Sequence, residues 1–112
     1  MLRASCKTSQ VSLDIKVVID HEVPCGIRHY QELLAFADAL LRQDGPALDH
    51  ARSTLRREAG DAAVVRAAAV VGNFQMMNRA LDALGAQFGA QMRPLMAPLA
   101  GELGRELPAH WD

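Results

Sequence analysis

Residues 61–85 read DAAVVRAAAVVGNFQMMNRALDALG and are the stretch that decides the fold. The first half is apolar on nearly every side, a pattern typical of a helix that is buried over most of its surface. In the second half, polar residues share one face at about 100° per residue: Gln75, Asn78, Arg79 and Asp82. The stretch predicts a helix over 62–84 that ends at Gly85. It also predicts an all-α fold, with this helix at the centre of a helical bundle.

Two further helices are predicted upstream. Apolar residues spaced three and four apart run from Tyr30 to Leu41, which predicts an amphipathic helix over 30–43. The sequence 44–46, Asp-Gly-Pro, cannot continue that helix. A thinner apolar stripe predicts a second helix over 49–59. Gly60-Asp61 separates it from the central helix, because glycine can close one helix in a left-handed conformation and aspartate can accept hydrogen bonds from the N–H groups that open the next.

The residues after Gly85 keep a helical apolar spacing from Phe88 to Leu107. Pro94 and Pro98 interrupt this stretch, since proline lacks the backbone N–H that a helix interior needs. We therefore predict a kinked or two-piece C-terminal helix that ends at Pro108.

The N-terminal residues 1–27 form a predicted arm in front of a helical domain over 28–112. Apolar and polar residues alternate over 11–19, which is the period of a strand. A lone strand leaves its backbone hydrogen-bonding groups unpaired. The segment is therefore predicted either to pair with the same segment of another subunit or to form an extended arm. Pro24 and Gly26 mark a break before the first helix.

The composition argues for a single globular domain and against several classes of function. Half of the 112 residues are hydrophobic and the net charge is −1, so there is no electrostatic reason to expect nucleic acid or an anionic membrane as a partner. Arg66 and Asn73 interrupt the longest apolar run, which is too short to span a bilayer. Two cysteines and the lack of a secretory signal at the start predict a cytoplasmic protein. No cofactor is predicted.

Three segments resemble one protein family when they are taken in order. Residues 32–37 read ELLAFA, residues 55–61 read LRREAGD, and residues 74–85 read FQMMNRALDALG. Together they are similar to the C-terminal half of the carboxymuconolactone decarboxylase and alkylhydroperoxidase-D-like (peroxidase-related) family. The resemblance covers about half of the chain, and Gln75 stands where asparagine is common in the family.

This resemblance implies an all-α fold whose subunits interlock as homo-oligomers. It also implies either thiol-dependent hydroperoxide reduction or decarboxylation of a lactone. The peroxidase branch uses two cysteines two residues apart, followed by a histidine, upstream of the matching segments. This sequence has no such pair, so we expect a domain that is truncated or diverged at its N-terminal side.

Cys25 and His29 are the candidate catalytic residues. They stand four apart, so on a helix they would share a face, and a neighbouring histidine favours the nucleophilic thiolate. Pro24 and Gly26 bracket the cysteine, however, which favours a packed cysteine and a surface histidine. With Cys6 and Cys25 separated by the predicted strand, negligible thiol peroxidase turnover is expected.

Asn73, Asn78 and Arg79 are candidate binding residues. They could line a polar pocket in which the guanidinium of Arg79 holds a carboxylate. The simpler interpretation is that Asn78 and Arg79 cap or bridge neighbouring helices, within or between subunits. Binding of a small-molecule ligand is therefore one of two interpretations of these three residues.

No metal site is predicted. His21-Glu22 is similar to the opening of a zinc-binding His-Glu-x-x-His helix, but Cys25 occupies the fifth position and Pro24 disrupts the helix. The other histidines, at 29, 50 and 110, show no ligand spacing.

The sequence thus predicts a family member without the redox motif, acting as an oligomeric binding or structural module or in a non-redox role. The alternative is an active thiol-dependent peroxidase or decarboxylase that uses Cys25 and His29. The chain is expected to be at least a dimer, because it has too few helices to cover so apolar a central helix.

Overall fold

The computed structural model describes residue 10, residues 13–86 and residues 89–107. Within these residues there are four α-helices and no strand: α1 (Tyr30–Arg42), α2 (Gly45–Ala59), α3 (Asp61–Leu84) and α4 (Arg93–Glu102). Short 3₁₀ helices cover Ile15–Val18 and Ala90–Met92. The predicted all-α class is confirmed.

Helices α1 and α2 form a hairpin with a two-residue turn. Gln43 ends α1 in a left-handed conformation, with φ +57°, and its N–H bonds back to α1 carbonyl groups. The carboxylate of Asp44 then accepts a hydrogen bond from the N–H of Ala47 at 3.1 Å, and Pro46 lies in the first turn of α2. The predicted start of α2 at residue 49 is therefore wrong by one turn, because proline is favourable in a first turn although it breaks a helix interior.

A single residue, Gly60, joins α2 to α3. It has φ +91°, in the region that favours glycine, and its N–H donates to the carbonyl of Arg56 at 2.9 Å. Helix α3 begins at Asp61 and ends at Leu84, and Gly85 follows with φ +65°. The predicted bounds of this helix are confirmed to within one residue.

The core lies between the helices of the hairpin. Its buried members are Phe36 and Ala39 from α1 and Ala51 and Leu55 from α2, and Leu55 is fully buried. Partly buried residues surround them, including Ala63, Val64 and Ala67 on the first turns of α3. Small side chains on both partners allow these helices to approach closely.

The strand predicted over 11–19 is wrong in its described part, since residues 15–18 form a 3₁₀ helix. The carboxylate of Asp14 accepts a hydrogen bond from the N–H of Lys16 at 3.0 Å, and the N–H of Val17 donates to the carbonyl of Asp14 at 3.1 Å. A helical turn satisfies these backbone groups locally, whereas a lone strand could not. Ile15 and Val17 are buried all the same, so the alternation described burial correctly.

The C-terminal region is in two pieces, as predicted. The 3₁₀ helix Ala90–Met92 leads into α4, which has Pro94 in its first turn and Pro98 in its interior. The predicted end at Pro108 is wrong, because α4 ends at Glu102. Gly104, with φ +61°, allows the N–H of Arg105 to bond back to the carbonyl of Ala100 at 2.9 Å.

The chain divides into two compact units, Met1–Met76 and Met77–Asp112. The boundary lies inside α3, so each unit contains one part of that helix. The predicted arm, residues 1–27, belongs to the first unit together with the α1–α2 hairpin. None of the helices within the described residues is long and apolar enough to cross a membrane.

Candidate functional site

Cys25 and His29 lie in the loop that precedes α1, and they do not share a helix. Cys25 is half-buried with a free thiol, in a segment without regular structure between Pro24 and Gly26. His29 is the N-cap residue of α1, with φ +57°, and its carbonyl accepts a hydrogen bond from the N–H of Leu33 at 2.9 Å. The helical spacing that could have joined the two side chains is therefore absent, because the break extends to residue 29.

The chemistry available at Cys25 is limited accordingly. Among the described residues, no hydrogen bond or ion pair links its thiol to His29 or to any other group. Cys6, the only other cysteine of the sequence, lies outside the described residues. A thiol without a base at hydrogen-bonding distance lacks the activation that a nucleophilic cysteine needs.

His21 anchors the same loop onto α1. Its carbonyl accepts a hydrogen bond from Nε2 of Gln31 at 3.2 Å, and its own Nε2 lies 3.6 Å from Oδ2 of Asp38. Nη2 of Arg42 lies 3.8 Å from the same carboxylate oxygen. The histidine that opened the zinc-like pattern thus serves as a contact between loop and helix. Within the part of the chain that the structure describes, no three metal-ligating side chains cluster.

Asn73, Asn78 and Arg79 lie on α3, and all three are exposed. Asn73 and Arg79 are six residues apart, which places them about 120° apart around the helix. They do not converge on one pocket. None of the three has a hydrogen bond or an ion pair with another described residue, so the capping and bridging contacts predicted for Asn78 and Arg79 are not formed within this part of the chain.

The arginines of α2 are paired with neighbouring carboxylates. Nη1 of Arg52 lies 2.7 Å from Oδ1 of Asp49, and Nε of Arg56 lies 2.6 Å from Oδ1 of Asp61. Nε of Arg57 similarly bonds to Glu58 at 3.0 Å. These groups form a solvated, locally neutral helix face.

A cleft of about 270 Å³ lies between α1 and α2, and sequence analysis did not identify it. Four alanines line it, and Glu32, His50 and Thr54 supply its polar atoms. The alanines are spaced four apart on each helix, at 35 and 39 and at 47 and 51, and this spacing is the sequence signal that could have revealed it. The cleft is nevertheless formed only when the two helices pack.

A second cleft, of about 370 Å³, lies beside α4 in the unit Met77–Asp112. Arg93, Arg105 and Glu106 contribute its charged groups, and small residues of α4 together with Leu107 form the rest. Because both signs of charge line it, the cleft has no single preference for an anion or a cation.

The largest departure from expectation is the surface of α3. The sequence predicted burial on most sides, but none of its 24 residues, all of which the structure describes, is buried. Val65 is 68% exposed, Met76 is 64% exposed and Leu84 is 82% exposed. Val70, Phe74, Met77 and Leu81 are also exposed. An apolar surface therefore runs along almost the whole helix.

Comparisons with known proteins leave the chain without an assigned relative. No protein-family model matches it, and neither the curated proteins nor the solved structures include a match.

Proposed function

We propose that this chain is a homo-oligomeric helical module whose assembly surface is the exposed apolar side of α3. The observation that carries the proposal is the contrast between the composition of α3 and its burial. A helix with this sequence is typical of a protein interior. Within its own chain it has no buried residue.

The extent of the exposed surface supports an interface rather than chance exposure. Single exposed apolar side chains are normal on protein surfaces, but contiguous apolar patches mark sites of interaction. Here seven large apolar residues of one helix are at least two-fifths exposed, from Val65 to Leu84. A chain of 112 residues also buries a smaller share of its surface on folding than a larger domain does, so association adds stability where it is needed.

The family resemblance supports the same assignment. The segments 32–37, 55–61 and 74–85 suggest a diverged relative of the carboxymuconolactone decarboxylase and alkylhydroperoxidase-D-like proteins, which are built from interlocked subunits. We assign the chain to the members of that family that lack the redox motif. We also assign it to the cytoplasm, because it has only two cysteines. The loop geometry around Cys25, with no base among the described residues bonded to the thiol, supports a non-redox role.

A structural role is favoured over the binding of a large ligand. Pockets that bind drug-sized molecules usually enclose about 300–1,000 Å³. The cleft between α1 and α2 is smaller, at about 270 Å³, and the cleft beside α4, at about 370 Å³, lies near the lower limit of that range. Any ligand of this module is therefore small, and assembly is the larger part of its function.

The proposal is tested by the oligomeric mass of the wild type and of two charged variants. We expect light scattering at micromolar concentration to give at least twice the chain mass of 12.2 kDa. Met76→Glu places an unpaired charge in the interface and should weaken association by roughly tenfold or more. Leu41→Glu is the matched control, because Leu41 is a half-exposed apolar residue on α1.

The control should keep the wild-type mass, and circular dichroism should show that both variants retain their helices. A wild type of 12.2 kDa across the micromolar range would contradict the proposal. So would an oligomer that Leu41→Glu dissociates and Met76→Glu leaves intact.

A further inference from the structure

We propose that two copies of the chain pair through α3 in an antiparallel arrangement, with a two-fold axis at Asn73. This inference rests on the proposed function and specifies its partner as a second copy in a defined register. It starts from a line of residues on α3 at alternating spacings of four and three, which we call the α3 seam: Ala62, Arg66, Ala69, Asn73, Met76 and Ala80. All six are exposed.

The spacing of the seam is that of helices that pair along their length. An alternation of three and four keeps one line of side chains facing a partner helix, as in a coiled coil. Three of the six members of the α3 seam are alanines, and Gly72 lies beside it, so two helix axes could approach to about 8 Å. The α3 seam lies on the side away from Val64 and Ala67, which pack against the hairpin core.

The position of Asn73 sets the centre of the pairing. Helix α3 contains 24 residues and its midpoint falls between Gly72 and Asn73. An antiparallel pair centred on Asn73 therefore overlaps along nearly the whole helix, a length of about 36 Å. The carboxamide both donates and accepts hydrogen bonds, so the two Asn73 side chains can bond to each other across the axis. A polar residue at one seam position is known to specify register and orientation.

Side-chain size is complementary in this register. A two-fold axis perpendicular to the helices brings the residues on one side of the α3 seam against the residues on the same side of the seam in the second copy. Ala69 then lies beside Met76 of the second copy, and Val70 lies beside its Met77. Each large flexible side chain is thus matched with a smaller one. A parallel pair would instead place Met76 against Met76 and leave a gap between the two alanines.

Charge complementarity also favours the antiparallel pair. A parallel pair would bring the two Arg66 guanidinium groups together inside the interface. In the antiparallel pair they are about 21 Å apart, because each lies seven residues from the axis. Each Arg66 then lies level with Ala80 of the second copy. The Arg66 side chain points toward the N-terminus of its own helix, and because the helices are antiparallel this is the direction of the last turn of the facing helix.

The end of the facing helix is suited to a cation. Helix C-termini carry a partial negative charge on their last carbonyl groups. At the end of α3, the N–H groups of Gly85 and Ala86 bond to the carbonyl groups of Asp82 and Leu81, at 3.1 and 2.9 Å. The carbonyl groups of this last turn carry the partial negative charge that attracts the guanidinium of Arg66.

Cysteine cross-linking tests the arrangement. In the full chain carrying Cys6→Ser and Cys25→Ser, one sample carries Ala69→Cys and a second, differently tagged sample carries Met76→Cys. The two are mixed, left to exchange subunits and mildly oxidised. In the antiparallel pair these positions lie within the ~4.4–6.8 Å between Cα atoms that a disulfide spans. Each variant alone places its two cysteines about 9–12 Å apart along the helix.

We expect a cross-linked dimer in the mixture and none in either variant alone, and the same result for Val70→Cys with Met77→Cys. Cross-linking of Ala69→Cys or Met76→Cys with itself would show a parallel pair and overturn the inference, although self-association through α3 would stand. No cross-link in a sample that has the dimer mass would overturn the antiparallel register centred on Asn73 and would leave the proposed function standing. The mass of a monomer would overturn both the inference and the proposed function.

Discussion

Helices α2 and α3 are separated by one glycine, and they place their apolar side chains in opposite environments. The sequence of α2 is dominated by charged and polar residues, yet its Leu55 is completely buried against α1. The sequence of α3 is dominated by alanine, valine and methionine, yet none of its residues, all described, is buried. The more polar helix thus contributes more to the core of the chain than the more apolar one.

The difference shows that burial depends on the position of a residue relative to its neighbours as well as on its hydropathy. In α2, two apolar positions suffice because both point at α1. In α3, only the side bearing Ala63, Val64 and Ala67 meets the hairpin. The remaining apolar surface is exposed within the described residues, and the proposed second copy would cover it.

Shortening the buried leucine of α2 should have the largest effect. Leu55→Ala removes a fully buried side chain and leaves a cavity, which should lower the free energy of unfolding by about 2–5 kcal/mol. The control is Leu41→Ala on α1, where the side chain is half-exposed and the change should be roughly 0.5 kcal/mol or less. Urea denaturation at one fixed protein concentration measures both. Equal losses would contradict the claim that the core lies between α1 and α2.

Removing the N-cap of α2 should have an intermediate effect. Asp44→Ala deletes the carboxylate that accepts the N–H of Ala47, at an expected cost of about 1 kcal/mol. Asp49→Ala is a matched control on the same helix, because its carboxylate is exposed and bonds to Arg52 on the surface of that helix. The free energy of unfolding should fall less in Asp49→Ala than in Asp44→Ala, since exposed ion pairs contribute little to stability. A larger loss for Asp49→Ala would show that the hairpin does not depend on this cap.

Truncating Arg79 of α3 should have a small effect. If Arg79 bridged neighbouring helices, as the sequence predicted, its removal would leave a polar partner unpaired at a cost of ~1–3 kcal/mol. The structure changes that expectation, because Arg79 is exposed and bonds to no described residue. Arg79→Ala should alter the free energy of unfolding by roughly 0.5 kcal/mol or less. A loss above 1 kcal/mol in thermal unfolding would mean that α3 depends on contacts beyond the described residues.

Replacing Cys25 should have the smallest effect of all. The thiol lies in the loop before the hairpin, and no base from the described part of the chain is bonded to it. Hydroperoxide consumption with a dithiol reductant should therefore be negligible in the wild type. Cys25→Ser and Cys6→Ser should be indistinguishable from it. Robust turnover that both substitutions abolish would restore the thiol peroxidase alternative and would make the loop, rather than α3, the functional region.

The bounds of the helices were mostly predictable, because local chemistry determines them. Gly60 and Gly85 end helices through positive φ angles, and the end of α1 follows from the residues at 44–46. The start of α2 was missed because Pro46 was read as a breaker, although it is favourable in a first turn. The strand over 11–19 was wrong because alternating burial also fits a 3₁₀ turn that satisfies its own N–H groups.

The candidate sites were harder to predict, because each depends on how separate segments are placed. The spacing of Cys25 and His29 has meaning only on a helix, and α1 begins after both. The cleft with Glu32 and His50 arises from the packing of two helices, which no single periodicity reveals. The exposure of α3 was missed because the hydropathy of a helix indicates only that its surface tends to be buried. It does not indicate whether the same chain or another molecule buries that surface.

The one-residue junction at Gly60 has a consequence for how related chains can change in length. One side of α3 meets the hairpin at Ala63 and Ala67, and another side carries the seam that includes Ala69 and Met76. An insertion of one residue between them would turn the seam by about 100° and shift it by about 1.5 Å relative to the hairpin. We therefore expect homologous chains to gain or lose residues after Gly85 or before α1. Within 61–84 they should keep their length.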